Sequence, residues 1–246
     1  MELESLQNPN IKDVFAVIKK SCSRHRVRFI PGNQSILKYV SQHSIIRKLL
    51  KVRPVKTASG VAVIALMPKP FPCPHGKCIY CPGGVDVNLP MSYTGTEPCA
   101  RYAQQFDFDP FKQIQSKLKQ LYLRGHGVDK IELVVVGGTF PFFPIEYQRD
   151  FVKSSFDALN GIRSRTLKNS METNEKAANR CVGFTVETKP DYCKSSHVDA
   201  MLELGMTRVE IGVQSLQEAT YKLVNRGHTL RDVHESFQIA RDAGYK

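Results

Sequence analysis

The chain has 246 residues, a formal net charge of +12 and no tryptophan. That length suits one large domain or two small ones, and the ordinary apolar content can form a packed core. No apolar run is long enough to span a bilayer, and the acidic N-terminus has no apolar h-region, so neither a membrane protein nor a secretory signal is expected.

Residues 1–57 hold twelve Lys and Arg against Glu2, Glu4 and Asp13, which is +9 of the total charge. Ile11, Val14, Phe15 and Ile18 recur at helical spacing, and Ile36 to Leu49 supplies one or two more short helices. This segment is expected to be a small basic helical module. Such charge attracts polyanions by counterion release, although a solvated face is the plainer reading. Any base stacking falls to Tyr, Phe, His or Arg.

A different rhythm begins at residue 58. Val61–Met67 is a continuous apolar run of strand length, and Ile131–Val136, Cys181–Glu187 and Arg208–Val213 read as a second, third and fourth strand. Helical patterns follow at Phe111–Leu121, Tyr147–Phe156, residues 196–204 and Val233–Ala240, with Gly244 as a cap. Residues 160–179 are polar and without period, which predicts a loop insertion. Four strand–helix repeats predict an α/β fold with a parallel sheet, residues 58–246 forming an incomplete barrel. The chain is expected to be part of a longer protein, with an unpaired sheet edge when alone.

Cys73-Pro-His-Gly-Lys-Cys78-Ile-Tyr-Cys81 places three thiols within nine residues, and Pro82-Gly83-Gly84 follows. Three cysteines can hold a four-iron cluster and leave one iron open. They can also hold zinc with His75 as fourth ligand. Seven cysteines without a secretory signal point to a reducing cytosol and to metal ligation rather than disulfides. Cys181 opens an apolar strand and is expected in the core.

The cysteine loop resembles that of the radical S-adenosylmethionine superfamily. Arg53–Gly60, Ser92–Pro98, Val136–Phe140, Glu187–Cys193, Arg208–Ser215 and Asn225–His228 extend the resemblance to the catalytic subunits of Elongator, archaeal type. The four-residue first gap is typical of that branch. The resemblance implies a [4Fe-4S] cluster on Cys73, Cys78 and Cys81. It implies that S-adenosylmethionine is bound with help from Gly137, Gly138, Thr139, Glu187 and Gln214, and that Lys130 contacts acetyl-CoA. A tight turn at the glycines and a structural ion pair at Glu187 are the plainer readings.

The implied activity is that of a radical acyltransferase, a tRNA uridine(34) acetyltransferase. A radical derived from S-adenosylmethionine would activate acetyl-CoA for addition to uridine C5, beginning carboxymethyl-type modification in the cytoplasm. Implied partners are a tRNA anticodon stem-loop, a reductant protein, and a second copy or Elongator-like subunits. Lys19, Lys20, Arg24, Arg26, Arg28, Arg47, Lys48, Lys51 and Arg53 are the expected phosphate contacts. The acetyltransferase-like domain of the family has no counterpart here. A non-catalytic zinc or iron–sulfur RNA-binding module and another radical tRNA-modifying enzyme are the alternatives.

Overall fold

The computed structural model describes residues 2–41 and 43–245. The chain divides into two compact units. One comprises residues up to Ala62 together with Lys117–Val128, and the other comprises Val63–Ser116 together with residues from Asp129 onward.

In the first unit, α1 (Ile11–Arg24) starts at Asn10, whose side chain accepts from Lys12 and Asp13 N–H while Asp13 bonds back to the Asn10 N–H. Short helices α2 (Asn33–Leu37) and α3 (Ile45–Leu49) follow. Val14, Ile18, Leu37, Val40, Ile46 and Leu50 form the core of this unit. Val14 and Ile18 of α1 face this core, Ile11 and Phe15 of the same apolar period remain exposed, and the lysines stay outside.

Arg47 departs from the expectation of a surface cation. It is 6% exposed. Its guanidinium donates to the carbonyls of Leu37 (3.1 Å), Val40 (3.3 Å) and Tyr122 and lies 4.0 Å from the Tyr122 ring centre. A planar fork with five donors suits three converging carbonyls. Arg47→Met should therefore lower stability by about 2–3 kcal/mol in urea unfolding, because buried carbonyls lose their donors. An unchanged midpoint would show that the guanidinium is not structural.

In the second unit, β1 (Ala62–Leu66), β2 (Lys130–Val135), β3 (Arg180–Thr188) and β4 (Arg208–Ile211) form an open sheet in the order β1-β2-β3-β4. Strands β2–β3 and β3–β4 pair in parallel. The α-helices that follow are α4 (Pro98–Gln104), α5 (Pro110–Leu123, whose residues from Lys117 belong to the first unit), α6 (Ile145–Asn160), α7 (Leu167–Asn174), α8 (Ser195–Glu203), α9 (Glu218–Leu223) and α10 (Leu230–Asp242). Ile64, Leu66, Leu133, Val135, Phe184 and Val186 are buried on the strands, and Phe156 of α6 meets Phe184 edge-on. Among the described residues no helix is long and apolar enough to cross a membrane.

The expected loop at 160–179 contains α7. Polar contacts hold this helix. Thr166 caps it, Ser170 Oγ donates to the buried Asp157 (2.7 Å), and Asn174 donates to Asn160 (2.8 Å) and accepts from Cys181 N–H (2.7 Å). Polar anchoring leaves no apolar period to read. Cys181 is only half-buried, its thiol donating to the Gly183 carbonyl at 3.3 Å.

Candidate functional site

The segments that follow the four strands converge on one cavity of about 610 Å³. The cysteine loop after β1 contributes Cys73 and Cys81. The turn after β2 contributes Gly138 and Thr139, the end of β3 Glu187 and Lys189, and the end of β4 Glu210, Gly212 and Gln214. Clustering at strand C-termini is a consequence of parallel topology, since every strand exits on the same side. The volume suits a cofactor-sized ligand.

Gly137 and Gly138 have φ of +117° and +100°, values that side-chain-bearing residues rarely adopt. The chain can therefore turn sharply after β2 and aim the Gly137 N–H at Glu187 Oε2, 3.1 Å away. Glu187 takes this backbone donor rather than an arginine. It lies beside Glu210 in the β3–β4 register. Burial pushes its carboxyl up, the Gly137 bond opposes this, and the neighbouring Glu210 adds to the rise. Burial also pushes the Tyr93 phenol up, with Glu187 next in effect.

Cys73 is half-buried. Burial raises its thiol, while a bond to Thr139 and the charges of Lys189 and Arg226 pull it back. Cys81 accepts from Ser92 N–H at 3.3 Å. Cys78 is buried and does not line the cavity; its sulfur lies 3.1 Å from His75 Nε2 and 3.8 Å from Arg226. Among the described residues no three His, Cys, Asp or Glu side chains are placed to hold a metal ion. The donor chemistry still fits an iron–sulfur group. The loop offers three sulfurs, and two cations, Lys189 and Arg226, stand by to offset the negative charge of a thiolate-bound cluster.

Behind the loop lies a polar group of which sequence reasoning singled out only His75. Lys189 Nζ sits 2.9 Å from His75 Nδ1 and 3.2 Å from Asp191. Burial, then Lys189 and Arg226, lower His75 to about 4. The same causes, with Arg226 ahead of Lys189, bring His228 to about 4. The signal in the sequence is the stretch Asn225-Arg-Gly-His228.

The other expected site residues fall elsewhere. Lys130 opens β2 and is exposed. Six strand residues, about 20 Å, separate it from the turn at the cavity. Lys19, Lys20, Arg24, Arg26, Arg28, Lys48 and Arg53 are exposed on the first unit, with Lys51 half-buried. Arg24 pairs with Glu2. Phe29 and Tyr39 are 73% and 72% exposed on the same unit.

An open parallel α/β sheet with a three-cysteine loop after its first strand defines a class of cluster-binding enzymes. The Radical SAM superfamily model matches residues 70–246, and the chain belongs to that superfamily. Membership implies S-adenosylmethionine and a [4Fe-4S] cluster.

Within the superfamily the similarity is to Elongator-type proteins. A tRNA uridine(34) acetyltransferase of Methanocaldococcus infernus is 45% identical over 236 residues, 93% of this chain and 44% of that protein. Elongator complex protein 3 of Drosophila melanogaster is 46% identical over 210 residues, 82% of this chain and 38% of that protein. The solved structure of an archaeal Elp3 from M. infernus with an N-terminal deletion matches with a TM-score of 0.61 and 38% identity, covering 76% of this chain and 36% of the other. The chain spans under half the length of these relatives.

Proposed function

We propose that this chain is the cluster-bearing part of a tRNA wobble-uridine acetyltransferase. The observation that carries the proposal is the single cavity shared by Cys73, Cys81, Gly138, Thr139, Glu187 and Gln214. The names of the relatives supply the reaction, and the residues supply the means.

When bound, the cluster and S-adenosylmethionine supply one-electron chemistry at carbon. Cys73, Cys78 and Cys81 would hold the iron. Gly138 and Thr139 bring backbone polar groups to the cavity wall. Glu187, fixed by the Gly137 N–H, and Gln214, in the left-handed backbone region at φ +69°, offer polar side chains from neighbouring strands. Tyr93 and Pro82 also line the cavity. The acetyl-CoA contact expected at Lys130 gains no support from its place at the far end of β2.

The exposed cations of the first unit suit tRNA phosphates, and Phe29 and Tyr39 suit unstacked bases. A cytoplasmic setting, with a reductant protein and Elongator-like subunits or a second copy, belongs to the same reading.

Two measurements test it. Anaerobically reconstituted protein with dithionite and S-adenosylmethionine should release 5′-deoxyadenosine. Release of none, with tRNA still bound, would favour a non-catalytic RNA-binding module. Affinity for tRNA should also fall steeply between about 50 and 200 mM salt. A flat response would remove phosphate contacts as its source.

A further inference from the structure

We infer that Lys189 sets the tautomer of His75, so that His75 serves as a hydrogen-bond donor to Cys78 rather than as a metal ligand. Lys189 lies 114 residues away in sequence, and its side chain is 3% exposed. An ammonium group can only donate. Burial lowers the Lys189 pKa, and Asp191, 3.2 Å from Nζ, opposes this and favours the ammonium form. His75 Nδ1, 2.9 Å from the ammonium, must then accept. The ring proton is left on Nε2, which faces Cys78 Sγ at 3.1 Å. The line Asp191–Lys189–His75–Cys78 therefore aims a donor at one cysteine sulfur.

The surrounding backbone is shaped for this contact. Gly227 has φ +81°, and a Cβ there would come 2.4 Å from His75 Cβ. Asn225 Nδ2 donates to the carbonyls of Lys77 (3.0 Å) and His75 (3.4 Å), and Ile79 N–H donates to Val224 O (3.2 Å). The segment between α9 and α10 thus holds the backbone around His75 in place. Both ring nitrogens are engaged, which removes His75 as the fourth ligand of a zinc site.

The consequence for the cluster rests on the ligation proposed above; the tautomer itself does not. A donor at a cluster-ligating sulfur stabilises the added electron and raises the reduction potential. Lys189 and His75 are positioning residues in this scheme.

The test begins with metal-free protein. Two-bond 15N–1H spectra of the histidine rings, with the His75 signals identified by H75Q, should show the Nε2–H form. Lys189→Met should shift the ring toward the Nδ1–H form or a mixture. D191N should move it in the same direction by a smaller amount, and it serves if K189M does not fold. A wild-type ring in the Nδ1–H form would overturn the inference without any variant. So would an unchanged tautomer in a folded K189M or D191N protein.

In reconstituted protein, H75F should lower the reduced-to-oxidised ratio at fixed poise about tenfold, which for one electron is 59 mV. An unchanged potential would overturn the tuning role. Failure of wild-type protein to take up iron would sink the proposed ligation and leave the tautomer result standing.

Discussion

Anaerobically reconstituted Cys81→Ala protein will lose its iron–sulfur absorbance and bind almost no iron, yet unfold at nearly the wild-type denaturant midpoint. Cys81 is half-buried at the cavity wall, with Ser92 N–H directed at its sulfur and its thiol 3.5 Å from the Gly83 carbonyl. Alanine removes one of three sulfur donors and leaves no bulk to clash. Two thiols cannot hold the cluster that three hold, so the effect is close to all-or-none. Cys99→Ala is the matched control. Cys99 packs with Met67, Ala100 and Ala103 outside the motif, and its variant should keep the full iron content. Equal iron in the two variants would show that the motif is not the cluster site.

Asp157→Ala carries the largest expected effect on stability. The Asp157 side chain is fully buried, accepting from Lys153 Nζ (2.7 Å), Ser170 Oγ (2.7 Å) and Ser164 N–H (3.0 Å). These bonds tie α7 to α6. Removing the carboxylate leaves a largely buried lysine, the buried Ser170 hydroxyl and the half-buried Ser164 N–H without this acceptor, a loss of about 3–5 kcal/mol. The pH dependence has a defined sign. Burial alone would raise the carboxyl, but the bonds from Lys153, Ser170 and Ser164 outweigh it and hold Asp157 below the ordinary aspartate value. Its contribution is therefore full above the unfolded value, about 3.9, and is lost as pH falls through the lower folded value. Urea unfolding at pH 7 and in acid should show the wild-type advantage over D157A shrinking with acidity. A constant difference would mean that the charge is not what holds α7.

Strand β1 was legible as a continuous apolar run, and β2, β3 and β4 as apolar residues interrupted or alternated by polar ones, as in Arg208-Val-Glu-Ile211. Helix α7 was not, because Ser170 and Asn174 anchor it by hydrogen bonds and leave no stripe. Arg47 and Lys48 are adjacent basic residues on α3 and look alike in sequence. Only the fold shows that one turns inward to three carbonyls while the other stays in water. The cysteine spacing announced its chemistry, since neighbouring thiols have few uses in a reducing setting. The Lys189–His75 contact was invisible, because nothing local marks a pair 114 residues apart.

The three-cysteine loop is expected to carry iron and sulfide rather than zinc. Purification without oxygen, reconstitution, and analysis of iron, sulfide and zinc on the same sample test it directly. About four irons and four sulfides per chain, with little zinc, are expected. One tightly held zinc per chain, with no uptake of iron, would contradict it.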